Sequence, residues 1–457
     1  NRPTIDGNDR VLTVRSSAPT NDANGAGVTL RDPNFTSPLQ ELVINEGILR
    51  IEKEFGPVSD FAGVTAANIT NGITIAYSGP SLADKTNASL GVGPILSSRL
   101  NLWNNWDVHH TVNIMMDGAT AALNGGHNYI DTGAGTIPNS RTYLDGTITL
   151  TGPASRNVFH VDASSNNNTI VEQSNMTGAI QAKLIVGGQI VGAGGLTKTG
   201  FRELRLTNNN TFTGDVNVLR FGTTAVRWQD NTVSVNGVDY QTFGDAEGWG
   251  EWGLTLAGAN ARLSGTGNVN LQRRGMITLD NSNVLDATSG VAGGNHNDRI
   301  NNAASINFEN GWLRIMGGSS DNTEALATAG GARLNVLSGS NFLDLMPTVD
   351  GTSMTLTIGE IARAPGSVLT FRNLDSTSTF GTLSGADTVR VQLLNIGSLA
   401  QVGAGTGMTS KKIIPGLLGG IIPHTLGEDI RELGFNNANA SDYLTQARNQ
   451  QFLAGSH

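Results

Sequence analysis

Gly192-Ala193-Gly194-Gly195-Leu196-Thr197-Lys198-Thr199-Gly200, followed by Leu204-Arg205-Leu206-Thr207-Asn208-Asn209-Asn210-Thr211-Phe212-Thr213-Gly214-Asp215-Val216, reads as one coil of a β-solenoid. The Gly-Gly pair makes a corner. Leu196, Leu204 and Leu206 point inward from short strands, and Asn208, Asn209 and Asn210 turn the chain. Thr211-Phe212-Thr213-Gly214 closes the coil, and Val216 and Val218 open the next. Strands this short cannot enclose a core alone, but stacked copies can. The fold expected is all-β: a right-handed parallel β-helix with inserted loops and a short non-solenoid C-terminal tail.

Working outward, short alternating strands recur on both sides of this coil. Leu42-Val43-Ile44, Ile73-Thr74-Ile75, Ile148-Thr149-Leu150, Ile306-Asn307-Phe308, Leu313-Arg314-Ile315 and Val389-Arg390-Val391 are examples. Most follow period two and are bounded by Gly, Asn, Asp or Ser. Period-two strands at such spacing also suit a β-sandwich. Sparse Asn-Gly hairpin spacing and the quoted coil favour the solenoid. Coils of roughly 20–25 residues would give about twenty rungs and a rod roughly 90–100 Å long.

The rhythm breaks in three places. Residues 227–252 read as an inserted loop or hairpin and 291–302 as a corner loop. Residues 408–457 depart from the solenoid of 1–407 and read as a cap or docking tail. In that tail Asp429 to Leu433 suggests a helical turn, and Ser441 is a natural N-cap for a helix over Asp442–Arg448.

Composition agrees with such a fold. Of 457 residues 59 are Gly, charged residues are 15% and aromatics 5%. This mix suits tight corners and polar-faced strands, and suits long helices badly. The net charge of −9 repels phosphate backbones and anionic bilayers, so neither nucleic acid nor membrane insertion is expected. The count of Cys is 0, which excludes disulfides, Cys-ligated zinc and iron–sulfur clusters. No apolar run reaches membrane-spanning length, and no terminal series of amphipathic strands suggests a barrel. Asn1-Arg2-Pro3-Thr4 reads as an interior or processed start rather than a signal peptide.

The order Gly-Gly-Leu-Thr-Lys-Thr-Gly, alternating Leu, then Asn-x-Thr-Phe-Thr-Gly resembles the autotransporter-associated β-strand repeat of very large secreted and surface proteins of Gram-negative bacteria. Leu356 to Ile361, Arg363, Pro365 to Val368 and Leu369-Thr370-Phe371 resemble a strand pair common in proteins that carry it. The chain departs from the repeat at Phe201-Arg202-Glu203, where small residues are usual. The resemblance implies a parallel β-helix outside the cytoplasm, extracellular or at the cell surface, and implies no reaction.

Candidate chemistry is thin. Parallel β-helices include pectate lyases, polygalacturonases and phage tailspikes, which cluster carboxylates on one sheet face. The densest polar groups here are Asp107 with His109 and His110, then Asp280 with Asn283 and Asp286, then His296 with Asp298 and Arg299. None has the spacing of such a site, and solvated loops and turn-forming Asp and Asn account for them better. His109 and His110 are strand neighbours facing opposite sides, so they cannot share one metal. Asp6-Gly7-Asn8-Asp9 offers oxygens for calcium, but the Gly-Gly-x-Gly-x-Asp nonapeptide is absent. No cofactor, catalytic residue or metal ligand is expected, and the chain reads as non-enzymatic.

Two other groups are candidates for contact. Trp103, Trp106, Trp228, Trp249 and Trp252 stand out in an aromatic-poor chain and suit sugar stacking or a subunit anchor; a small local core beneath an insertion accounts for them equally. Asn34, Asn68, Asn87, Asn167, Asn175, Asn209 and Asn439 head Asn-x-Ser/Thr sequons and are candidate glycan acceptors. Finally, a solenoid ends in an unpaired rung that templates another chain unless capped. Val11, Leu12 and Val14 supply such a strand, and Ile413, Ile414, Phe452 and Leu453 an apolar tail. Together they point to head-to-tail self-association into a fibre, sheath or surface layer. A glycan-binding adhesin and a polysaccharide-active enzyme are the alternatives.

Overall fold

The computed structural model describes residues 4–15, 27–53, 63–78, 97–104, 107–124, 127–134, 141–161, 183–200, 203–219, 230–235, 238–243, 253–265, 267–282, 297–347, 352–373, 379–380, 388–395, 399, 413–421, 431–435 and 444–446. The chain divides into two compact units. The first comprises Asn1–Thr255 with Leu263–Gly267, the second Leu256–Arg262 with Asn268–His457. Each is a stack of short parallel strands in register, the architecture of a parallel β-helix.

In the first unit one sheet runs Val11–Val14, Glu41–Ile44, Ile73–Ile75, Ile114–Asp117, Ile148–Thr151, Ile190–Val191, every pairing parallel. The register aligns Leu12, Leu42, Ile73, Ile114, Ile148 and Ile190 in one inward ladder. A second sheet stacks Gly27–Arg31, Gly47–Glu52, Ser97–Asn104, His127–Ala134, Asn157–Val161, Leu196–Thr199 and Val216–Leu219. Its inward ladder is Val28, Leu49, Leu100, Ile130, Phe159, Lys198, Val218. A third stacks Val108–His110, Arg141–Leu144, Lys183–Val186 and Glu203–Leu206. Period two puts alternate side chains on opposite faces, so each rung adds its aliphatic residues to ladders that no rung could bury alone.

The quoted coil behaves as read. Leu196, Leu204 and Leu206 are fully buried. Asn208 donates to the Gly187 carbonyl (3.1 Å) and accepts from the Asn209 amide (2.8 Å). Asn210 accepts from the Ile190 amide (3.0 Å), tying its corner to the rung before. Gly192 has φ 107, and a Cβ there would lie 2.2 Å from the Leu150 carbonyl oxygen, so only glycine fits. Lys198 occupies a place in the apolar ladder; its ammonium donates to the carbonyls of Thr199 (2.6 Å) and Gly200 (3.0 Å).

The rung period differs from the 20–25 residues expected. Asn217 and Thr197 on adjacent rungs are 20 residues apart, but Asn307 and Asn270 are 37 and Asn101 and Arg50 are 51. Loops between strands lengthen most coils, so the rungs are fewer than about twenty.

In the second unit Val269–Gln272, Ile306–Glu309 and Leu334–Ser338 stack in parallel. The ten-residue strand Met354–Arg363 pairs with Asn322–Leu326 and Thr388–Asn395 along its first part and with Leu334–Ser338 at its end. Met354–Arg363 and Val368–Asn373 are thus successive strands around a corner, in different sheets rather than paired with each other. The remaining sheet is Met276–Asp280, Trp312–Met316, Ser340–Met346, Val368–Asn373 and Ile413–Ile421, all parallel, followed by Arg431–Phe435 and Leu444–Gln446, both antiparallel.

This arrangement corrects the helices expected near the C-terminus. Arg431–Phe435 and Leu444–Gln446 are strands, because pairing with a free sheet edge outweighs a weak local helix signal. Helix appears instead at Gly118–Leu123, where Asp117 accepts from the Thr120 amide at 3.2 Å. Asp230–Val235 and Val238–Phe243 pair antiparallel within the insertion expected at 227–252.

Candidate functional site

Three surfaces assemble chemistry beyond the core. The first is the opening rung of the first unit. Leu12 faces inward in the ladder with Leu42 and Ile73, yet it is 37% exposed where each of those is 2%. Val28 heads the second ladder and is 45% exposed, against 0% for Leu49. Val14 is buried and Val11 exposed. Among the described residues Val11–Val14 pairs only with Glu41–Ile44, and Gly27–Arg31 only with Gly47–Glu52. Backbone donors and acceptors therefore line one side of each strand, beside uncovered aliphatic ladder ends.

The second surface lies on the outer face of the third sheet in the same unit. Period two sends His109 outward and His110 inward, as their adjacency implied. His109 Nδ1 lies 2.7 Å from Asp145 Oδ2, and the imidazole stacks on Tyr143 at 3.9 Å and 6°. Arg141 donates to the Tyr143 hydroxyl (3.1 Å) and pairs with Asp107 at 3.7 Å. Burial raises the Tyr143 phenol pKa, with Arg141 opposing. His110 is buried and accepts from the Val64 amide at 3.1 Å. Burial, aided by the charge of His109, lowers its pKa to about 4, so it is neutral.

The third surface is on the outer face of the second unit. Trp312, Phe342 and Thr370 form one row across three strands; Arg314, Asp344 and Arg372 form the row two residues on. Asp344 is wholly buried and accepts from Trp312 Nε1 (2.5 Å), Arg372 Nε (2.6 Å) and Arg372 Nη2 (2.8 Å), with Arg314 Nε 3.5 Å away. The Arg372 guanidinium sits over the Trp312 and Phe342 rings at 4.7 and 4.4 Å, and that of Arg314 over Trp312 at 5.2 Å.

Beneath the second unit's surface lies a buried ion group. Arg299, fully enclosed, donates to Asn281 Oδ1 (2.6 Å) and to the carbonyls of Gly258 (3.0 Å), Ala261 (2.8 Å) and Asp280 (2.8 Å). Its backbone amide donates to Glu324 Oε1 (3.2 Å). Burial raises the Glu324 pKa to about 8 and lowers that of Arg299 to about 10. The solvated loop expected around His296, Asp298 and Arg299 is therefore corrected at Arg299, whose guanidinium donates to three backbone carbonyls and to the Asn281 side chain, while His296 lies outside the described residues.

The other candidates fall as follows. Trp103 lies in the strand Ser97–Asn104, paired with Gly133, but its side chain is outside the described set. Trp106, Trp228, Trp249, Trp252, Phe452, Leu453, Asn87, Asn167, Asn175 and Asn439 also lie outside the described residues. Ile413 and Ile414 belong to a strand of the protein's own sheet, and Ile413 pairs with Gly434. Asn34 is exposed, and Asn68 and Asn209 are half-buried. Among the described residues no group of three or more His, Asp or Glu is placed to hold a metal, and no helix is long and apolar enough to cross a membrane.

The Trp312 cluster escaped sequence reading, although its signal was present: Trp312-x-Arg314, Phe342-x-Asp344 and Thr370-x-Arg372 alternate with apolar residues. What the alternation lacks is the register that lines the three strands up. Comparison with known proteins finds no family model, no curated protein and no solved structure that matches the chain.

Proposed function

We propose that this chain is a non-enzymatic structural protein of the extracellular space or cell surface, which assembles by adding parallel strands of a second copy to its opening rung. The observation that carries the reading is the pair of inward ladders left uncovered at Leu12 and Val28 beside two singly paired strands. An aliphatic ladder that ends in water retains the driving force that stacked its other rungs, roughly 25 cal/mol per Å² of apolar surface covered. The strand edge supplies direction and register through backbone hydrogen bonds. The chemistry needed is already that of the fold, which makes a polymer of like subunits the simplest occupant.

The test is sedimentation and negative-stain microscopy of the intact chain over a concentration series, beside the double variant Leu12→Lys, Val28→Lys. Assembly of the intact chain, with a midpoint raised at least tenfold in the variant, is expected. An intact chain that stays monomeric at high concentration, or a variant that assembles equally well, overturns the reading.

A further inference from the structure

The geometry points to a binding site for an acidic polysaccharide on the Trp312–Phe342–Arg372 platform of the second unit. These side chains project from the outer face of strands whose inward residues, Leu313, Leu343 and Phe371, already fill the core. They are not needed to bury apolar surface there. Elsewhere the same kind of outward row carries polar side chains: Asn270, Asn307 and Asn335 form a ladder linked at 2.7 Å per step.

Charge argues for an anion. Two guanidinium groups share one carboxylate within the cluster, which leaves a local excess of positive charge. Asp344 already takes three donors. Asp280, in register with Met316, is capped by the Ser282 amide and hydroxyl. Arg372 uses Nε and Nη2 on Asp344, and its remaining Nη1 donors complete a fork held rigid by the bidentate pair and by two aromatic faces. A donor fixed before binding loses little conformational freedom when the ligand arrives.

Aromatic rings beside such a fork suit a sugar. The ring faces take the apolar face of a pyranose, and Arg372 takes its carboxylate or sulfate. A periodic acidic glycan also matches a platform built of outward rows repeated from strand to strand.

The probes are polygalacturonate for carboxylate, heparin for sulfate and dextran as the neutral control. Affinity electrophoresis of the full chain, with tryptophan fluorescence, reads binding. Retardation by one or both acidic polymers and none by dextran is expected, the stronger of the two naming the acid group. Arg372→Gln should weaken binding at least tenfold. Trp312→Phe keeps a ring in place and should weaken it several-fold while abolishing ligand-induced quenching. Arg274→Gln, at an exposed corner, should bind as the parent does. Leu12→Lys should also bind normally, which separates this site from assembly. No retardation by either acid, equal retardation by dextran, or parental affinity in folded Arg372→Gln or Trp312→Phe overturns the proposal.

Discussion

The opening rung of the first unit and the last strands of the second end their sheets in opposite ways. At the start, Val11–Val14 and Gly27–Arg31 lie parallel to their single neighbours and leave Leu12 and Val28 uncovered. At the other end, Ile413–Ile421 is followed by Arg431–Phe435 and Leu444–Gln446, which turn back antiparallel. Leu417, in the strand before that reversal, is fully buried. A parallel rung can accept a further rung in the same register; an antiparallel meander breaks the repeat and blunts the edge. Arg431–Phe435 and Leu444–Gln446 thus blunt the edge of their own sheet, whereas Val11–Val14 and Gly27–Arg31 each end a different sheet in a parallel strand.

The units also differ in the titratable group they bury, and this gives the sharpest way to tell them apart. Glu324, with a pKa raised from 4.5 to about 8, is protonated in the folded second unit over a range where the unfolded chain is ionised. The folded state then binds more protons, so stability is full below pH 4.5 and is lost as pH climbs to about 8, by up to roughly 4–5 kcal/mol. Protection of 297–347, corrected for the intrinsic pH dependence of amide exchange, should fall steeply between pH 5 and 8, and Glu324→Gln should remove most of that fall. A pH-independent profile in the parent chain would contradict the assignment.

Next in size is a contrast within one ladder. Leu42→Ala, at a fully enclosed rung, should cost about 3–4 kcal/mol of unfolding free energy, and Leu12→Ala, at the uncovered rung, about 1 kcal/mol. Chemical denaturation of the monomer measures both. Equal losses would mean that the opening rung is covered in solution.

The smallest pH effect belongs to the first unit and has the opposite sign. His110 has a folded pKa of about 4 against 6.5 when free, so the unfolded chain takes up the proton first on acidification. Stability is intact above pH 6.5 and falls toward pH 4 by up to roughly 3 kcal/mol. Protection of 107–124, corrected for intrinsic exchange, should therefore fall in acid, while that of 297–347 falls as pH rises toward 8. A common response of both regions would show that neither buried group governs its surroundings.

Much of the fold was legible because a solenoid repeats one local rule. Leu196, Leu204 and Leu206 announce the inward ladder, Asn208 to Asn210 the corner, and the adjacency of His109 and His110 their opposite faces. Lys198 broke that rule: its stem occupies an aliphatic position because two nearby carbonyls receive its ammonium. The C-terminal helices failed for a different reason. Ser441 is a sound N-cap signal, but the few residues after it gain more from a sheet edge than from one or two helical turns. The site was least legible. Trp312 was the tryptophan outside the clusters that drew attention, and its partner Asp344 lies 32 residues away, with Arg372 a further 28 beyond.

The sequence by itself determined the period-two alternation, the glycine and asparagine corners and the lack of thiol chemistry, all properties of residues a few positions apart. Tertiary structure decided the length of each coil, the uncovered ends at Leu12 and Val28, the enclosure of Arg299 with Glu324 and the meeting of Trp312, Asp344 and Arg372. Those depend on register between strands whose facing residues lie 20 to 51 positions apart in the chain, and register is set by the burial of whole ladders, not by any one strand.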